Sequence, residues 1–195
     1  MTFRLKTAAV FTALAVFAGC AGYVTSKKRY DTRLPANSRV AVLPFENFTG
    51  MEKAGEKITD YFQTLLSGYN HFEAVEFGAV YEALRRYRIR SATLISNNQV
   101  DSLVASLNID YLVIGSIIEY EEHENMYLGR VPQVAFNCRL VDCLTKRTVW
   151  VATSSGRGDK GEIAFGIGAV RSADNLARKM VADAAKKISK LFSKE

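Results

Sequence analysis

Apolar positions recur along the chain with several spacings, and each spacing predicts an element. Val40-Ala41-Val42-Leu43-Pro44-Phe45 is a short apolar run that ends in Asn47 and Gly50, the pattern of a buried strand closed by a turn. Met51, Ala54, Ile58, Phe62, Leu65 and Leu66 then follow at helical spacing, and Gly68-Tyr69-Asn70 stops the helix they predict. Phe72 to Phe77 makes a second short strand. Val80, Leu84 and Tyr87 share one face of a second helix. Asn97 or Asn98 caps a third helix, whose inward face is Val100, Leu103, Val104 and Leu107.

The second half of the domain is richer in strands. Residues 111–120 begin as a continuous apolar run, which suits a strand covered on both faces. Val134, Phe136, Cys138 and Leu140 alternate with Ala135, Asn137 and Arg139, as in a half-covered strand, and Thr148 to Thr153 forms the next. A glycine-spaced loop at 156–170 leads to a last helix buried through Leu176, Met180, Ala184, Ile188 and Leu191. The predicted order is β-α-β-α-α-β-β-β-α. That order describes a single-domain α/β sandwich with a mixed β-sheet over residues 39–195.

The amino terminus follows another rule. Arg4 and Lys6 form a short basic region, and the apolar stretch from Thr7 to Gly19 is 13 residues long. A spanning helix needs about 20, so residues 1–19 read as a signal peptide. Its end, Phe17-Ala18-Gly19-Cys20, resembles the lipobox of bacterial lipoproteins, with Phe17 where leucine is usual. The resemblance implies cleavage before Cys20 and acylation of its thiol, with palmitate among the chains. An ordinary secretory signal ending near a cysteine is the alternative. Ala21 stands where an aspartate would retain such a protein at the inner membrane, so the same resemblance implies the outer membrane, on its periplasmic face. Residues 20–38 are polar and basic with no sustained period, and read as the lipidated cysteine and a flexible linker. Lys27, Lys28, Arg29 and Arg33 in it suit either anionic head groups or plain solvent.

Charge and composition narrow the function. Net charge is +6, and loss of the signal peptide leaves 24 basic against 20 acidic residues. A basic balance ordinarily points to nucleic acid, but an envelope address points to lipid head groups and cell-wall polymers instead. Hydrophobic residues make up 48% of the chain, enough for one sizeable core and too many for a disordered tail. Cys138 and Cys143 lie five positions apart, roughly 16 Å along an extended strand, too far for a bridge within the chain. Buried free thiols are the favoured reading, and a disulfide between subunits the other.

No P-loop, G-x-S-x-G, H-E-x-x-H or C-x-x-C pattern occurs. Gly166-Ile167-Gly168 fails the dinucleotide fingerprint because Arg171 occupies its third glycine position. His123 among Glu121, Glu122 and Glu124 reads as a solvated acidic patch rather than a metal site, and no cofactor is expected. Two surfaces remain as partner candidates: the basic set Arg85, Arg86, Arg88 and Arg90, and the apolar loop residues Ile163, Phe165 and Ile167.

Arg39-Val-Ala-Val-Leu-Pro-Phe-Glu-Asn-Phe-Thr-Gly50 resembles the opening strand and loop of the CsgG family. Tyr81 to Arg90, Ile109 to Tyr120 and Arg139 to Arg147 look like its later landmarks, so the similarity covers residues 39–192. It is a superfamily-level match, shared with the amino-terminal domain of TolB and with LpoB-type activators of peptidoglycan synthases, and it implies the fold more firmly than the task. The curli secretion channel of this family builds its barrel from two inserted hairpins, each needing membrane strands of about 9–11 residues. Twelve residues separate Tyr120 from Gln133 and fourteen separate Gly156 from Arg171, both too few and too charged for that purpose. The expectation is a non-catalytic lipoprotein that binds or scaffolds an envelope protein partner. Its alternatives are an accessory, homo-oligomeric subunit of a secretion system without pore hairpins, or an activator of a peptidoglycan synthase.

Overall fold

The computed structural model describes residues 22–28, 33–127, 129–159 and 169–192. In chain order the strands are β1 (Gly22–Lys28), β2 (Arg39–Val42), β3 (Glu46–Asn47), β4 (Glu73–Ala74), β5 (Tyr111–Asn125), β6 (Gly129–Asp142) and β7 (Arg147–Arg157). The described helices are α1 (Ala54–Ser67), α2 (Phe77–Arg86), α3 (Asn97–Leu107) and α4 (Ala173–Phe192). All seven strands form one open sheet in the order β1-β7-β6-β5-β2-β4, with β3 pairing β5 beyond the end of β2. β2 runs parallel to β4 and β5, whereas β5, β6, β7 and β1 are successively antiparallel. The mixed α/β architecture is the one expected from the sequence.

The apolar spacing explains which face each helix covers. Ala54, Ile58, Phe62 and Leu66 recur every four residues along α1, and all four are buried. Together with α4 they cover one face of the sheet, over Val40, Val42, Val113, Phe136, Leu140 and Trp150. Phe45 stacks on Phe62 with ring centroids 4.9 Å apart, and Phe136 meets both rings edge-on. Each ring so buried contributes roughly 1.5–3 kcal/mol of transfer free energy. α2 and α3 cover part of the other face, over Ala41, Leu43, Leu112, Ile114 and Val141. β2 feeds both cores, which is why it reads as a continuous apolar run.

Four features depart from the sequence reading. Gly22–Lys28, assigned above to the flexible linker, is strand β1, paired with β7 along seven registered positions from Gly22↔Gly156 to Lys28↔Trp150. An edge strand needs only one paired side and no apolar alternation, so its polar sequence hid it. Along this strand Lys27 lies five residues, about 16 Å, from Gly22. Second, the cap of α3 is Ser96, not Asn97 or Asn98. Its hydroxyl accepts from Gln99 N while Gln99 Oε1 accepts from Ser96 N, a complete capping box. Third, Phe72–Phe77 yields a strand of only two residues, and Met51 precedes α1.

Fourth, β5 and β6 continue past Tyr120 and Val134 as a hairpin arm paired from Glu121↔Gln133 to Asn125↔Gly129. Each arm strand adds five residues, about half the length a membrane strand needs. No described helix is long and apolar enough to cross a membrane.

Candidate interaction surface

β7 alternates cleanly. Trp150, Ala152 and Ser154 point into the core beneath α4, while Val151, Thr153 and Ser155 are exposed. The register extends this outward face across four strands. One row runs Thr25, Thr153, Asn137, Ser116, and the next Lys27, Val151, Arg139, Ile114. α2 and α3 do not reach the β1–β7 side, so Val151 is 41% exposed, whereas Ile114 on β5 beneath them is 2% exposed. The result is an open sheet face of small polar side chains with isolated aliphatic ones. A groove of about 430 Å³ crosses it, bounded by Thr93 from the loop after α2.

That loop is fastened by a carboxylate. Glu46 on β3 accepts from the Ser91 and Thr93 hydroxyls and from Thr93 N at 3.1 Å. Burial opposes its charge, but the side-chain and backbone hydrogen bonds from Ser91, Thr93 and Ala92 outweigh it and hold the carboxyl below its ordinary range. Arg139 rises from the sheet to donate through Nη2 to Thr93 O at 3.0 Å. The arrangement is a clasp. Its carboxylate takes three donors from the loop and so ties the segment after α2 to β3.

A second polar knot braces the hairpin arm. Asp174 at the start of α4 accepts from Lys57 Nζ on α1 at 2.8 Å and from the Tyr120 hydroxyl on β5. Burial raises the Asp174 pKa, but those two bonds and the Lys57 charge overcome it, leaving the carboxyl below its ordinary value. Tyr120 is pushed strongly upward by burial and then by the carboxylate it touches. Two residues outward, Glu122 Oε1 accepts from Ala173 N at 3.0 Å and closes the amino end of α4.

The sequence candidates fall in different places. Arg85, Arg86, Arg88 and Arg90 are all exposed, but they do not share one helix face. Helix α2 ends at Arg86. Arg88 takes a left-handed conformation at φ 53° in the following turn, and Arg90 lies beyond it. Arg86 is paired with Glu82 at 3.2 Å. Ile163, Phe165 and Ile167, like Cys20, lie outside the described residues. The chain leading into and out of the apolar loop is held together: Gly158 N donates to Pro132 O and Val170 N to Gly158 O, both at 2.9 Å. Gly158 permits this approach, since a Cβ there would stand 2.0 Å from Val170 O.

Cys138 and Cys143 are free and buried. Burial raises the thiol of Cys138, and burial with the charges of Asp142 and Asp110 pushes Cys143 up to about 12. Among the described residues no group of three or more His, Cys, Asp or Glu is placed to hold a metal ion. His123 instead faces Glu121 at 3.2 Å. A cavity of about 550 Å³ touches Asp101, Asp110 and Asp142, and each carboxylate there is engaged. Asp101 meets Lys146, Asp110 accepts from Arg39 N, and Asp142 caps the turn at Leu144 and Thr145. Sequence reading missed both polar knots, because each draws on three separate segments: Glu46, the Ser91–Thr93 loop and Arg139 in one, Lys57, Tyr120 and Asp174 in the other.

No family model and no curated protein matches the sequence. Solved structures do match the fold. PelC from Paraburkholderia phytofirmans, a dodecamer, aligns with TM-scores of 0.59 and 0.55 in two crystal forms, at 20% identity over 89% of this chain and 99% of that one. Lipoprotein GNA1162 from Neisseria meningitidis aligns at 0.54, with 16% identity over 78% of this chain and 99% of that one. LpoB from E. coli aligns at 0.50, with 13% identity over 65% of this chain and 60% of that one. At these identities the likeness is one of fold.

Proposed function

We propose that the protein is a non-catalytic lipoprotein of the outer membrane, acylated at Cys20, whose domain binds or scaffolds a protein partner on the periplasmic face. The observation that carries this reading is the lipobox-like Phe17-Ala18-Gly19-Cys20, which ends two residues ahead of a strand hydrogen-bonded into the sheet. The anchor is therefore coupled to the domain through Ala21 alone, and several acyl chains on one cysteine, at about 0.8 kcal/mol per buried CH₂, make attachment stable. The absence of a catalytic motif in the sequence, and polar knots that brace loops, support a role in which shape and surface do the work. The fold shared with PelC, GNA1162 and LpoB, of which GNA1162 is a lipoprotein, supports the envelope-lipoprotein reading.

Fractionation with labelled palmitate tests it. The wild-type protein incorporates label and sediments with outer-membrane vesicles, and Cys20→Ala loses the label and becomes soluble. An unlabelled wild-type protein, or a Cys20→Ala protein that stays in the membrane fraction, overturns the reading.

The open sheet face favours a second reading, a homo-oligomeric accessory subunit without pore hairpins. PelC is a dodecamer, and the exposed outward side chains of β1 and β7, Val151 among them, offer a copy of this chain a place to pack. Native mass of the detergent-extracted protein decides it: a ring of defined stoichiometry supports the oligomer, and a monomer removes it. Activation of a peptidoglycan synthase fits less well, because β1 leaves no tether of useful length between Cys20 and the domain.

A further inference from the structure

The β5–β6 arm ends in two large side chains that no other described residue covers: Met126 is 92% exposed and Tyr127 90%. Exposed apolar groups gathered at a projecting tip mark a contact surface, and the register says what they face. Gly22 pairs with Gly156, Gly156 with Val134, and Val134 with Tyr120, so the first residue of β1 lies level with the base of the arm. The chain that leads back to Cys20 therefore leaves the sheet at the same end from which the arm projects.

We propose that Met126 and Tyr127 form a second membrane contact, dipping into the same bilayer that holds the acylated Cys20; the proposal rests on the lipid-anchor reading above. The reach fits. From the level of Gly22 and Tyr120 the arm runs six residues to Met126, about 20 Å, whereas two residues of chain let Cys20 reach at most about 7 Å beyond Gly22. The tip thus extends at least about 13 Å past the anchor. Three inter-strand spacings separate the two laterally by about 14 Å, so a tilt of roughly 25° brings the tip to a depth near 6 Å. That lies within the 5–10 Å typical of interfacial insertion.

Charge sets the limit of that depth. Glu124 lies two residues before Met126 on β5, and Arg130, its register partner on β6, lies 3.7 Å from Glu122. Carboxylates resist leaving water, so penetration stops at the two tip residues. Tyr127 suits the depth, with an apolar ring and a hydroxyl that stays among the head groups. The arm is also stiff enough to bear on a surface, since Tyr120 and Glu122 tie its base to α4. Its acidic shoulders match zwitterionic rather than anionic lipid.

The test uses the full mature lipidated protein carrying Met126→Cys or, separately, Glu124→Cys, spin-labelled and reconstituted in phosphatidylcholine vesicles. Both native thiols outside the anchor are buried, so the label goes to the introduced cysteine. Flotation of the vesicles first reports the anchor; collision with a water-soluble nickel relaxer then reports the tip. The expected result is co-flotation, with nickel accessibility at 126 severalfold below that at 124 and restored in the same label on a Cys20→Ala background. Co-flotation with equal accessibility at 126 and 124 overturns the tip contact and leaves the anchor standing. Shielding at 126 that persists without the lipid assigns the tip to a protein contact and overturns the proposal. Failure to float removes the anchor, and the tip contact with it.

Discussion

Gly115 lies in β5 where the ring of Phe45 crosses the sheet. A Cβ at this position would stand 2.1 Å from Phe45 Cε1 and 2.6 Å from Asn137 O. Neither neighbour has room to withdraw, because the ring is stacked on Phe62 and Asn137 O belongs to the paired strand β6. Overpacking a closed core costs about 1–3 kcal/mol, and a contact this short against both ring and backbone puts Gly115→Ala at about 3 kcal/mol. Phe45→Ala alone costs about 3–5 kcal/mol through the cavity it leaves. In the double variant the new methyl enters that cavity, so the two costs fall short of additivity by more than about 1 kcal/mol. Urea unfolding followed by the single tryptophan, Trp150, which is 2% exposed in the same core, measures all four corners of the cycle. Additivity within about 0.5 kcal/mol would refute the placement of Phe45 over Gly115.

Other consequences are quicker to check. Cys138 and Cys143 are buried, and burial holds both thiols protonated. The native lipidated protein should therefore leave both unmodified by maleimide at neutral pH, and mass analysis should find two additions once urea unfolds it; modification of either in the folded protein contradicts their placement. Asp174→Asn should destabilise by about 1 kcal/mol at pH 7, a charged hydrogen-bond contribution discounted for a carboxyl side chain 42% exposed. The folded-state pKa of Asp174 is lowered, so its contribution is present above the unfolded carboxylate value and lost as pH falls through the folded one. The gap between wild type and Asp174→Asn in urea midpoint should accordingly close in acid, and a gap that persists there would show the effect to be steric.

Most of the fold is legible in the sequence because burial writes a period. The α1 stripe, the two-sided run at Val40 to Leu43 and the alternation of Val134, Phe136, Cys138 and Leu140 are each explained by the layer that covers them. What escapes notice is structure held by backbone pairing rather than by burial. β1 has Thr25 and Lys27 facing solvent, and the arm carries Glu121 and Glu124, so neither displays an apolar signal. Arg88 breaks the basic stripe through a positive φ that no arginine announces, since glycine or asparagine is the usual sign of such a turn. Glu46 and Asp174 find their partners across the tertiary structure, 45 and 117 positions away, beyond the range of any local pattern.

The lipid on Cys20 is the claim from which the location, the partner face and the orientation of the arm all follow. Intact mass and peptide sequencing of the protein purified from membranes test it most directly. The mature chain is expected to begin at position 20 with a thioether-linked diacylglycerol on that residue. A free thiol at Cys20, or a chain that begins elsewhere, would contradict it.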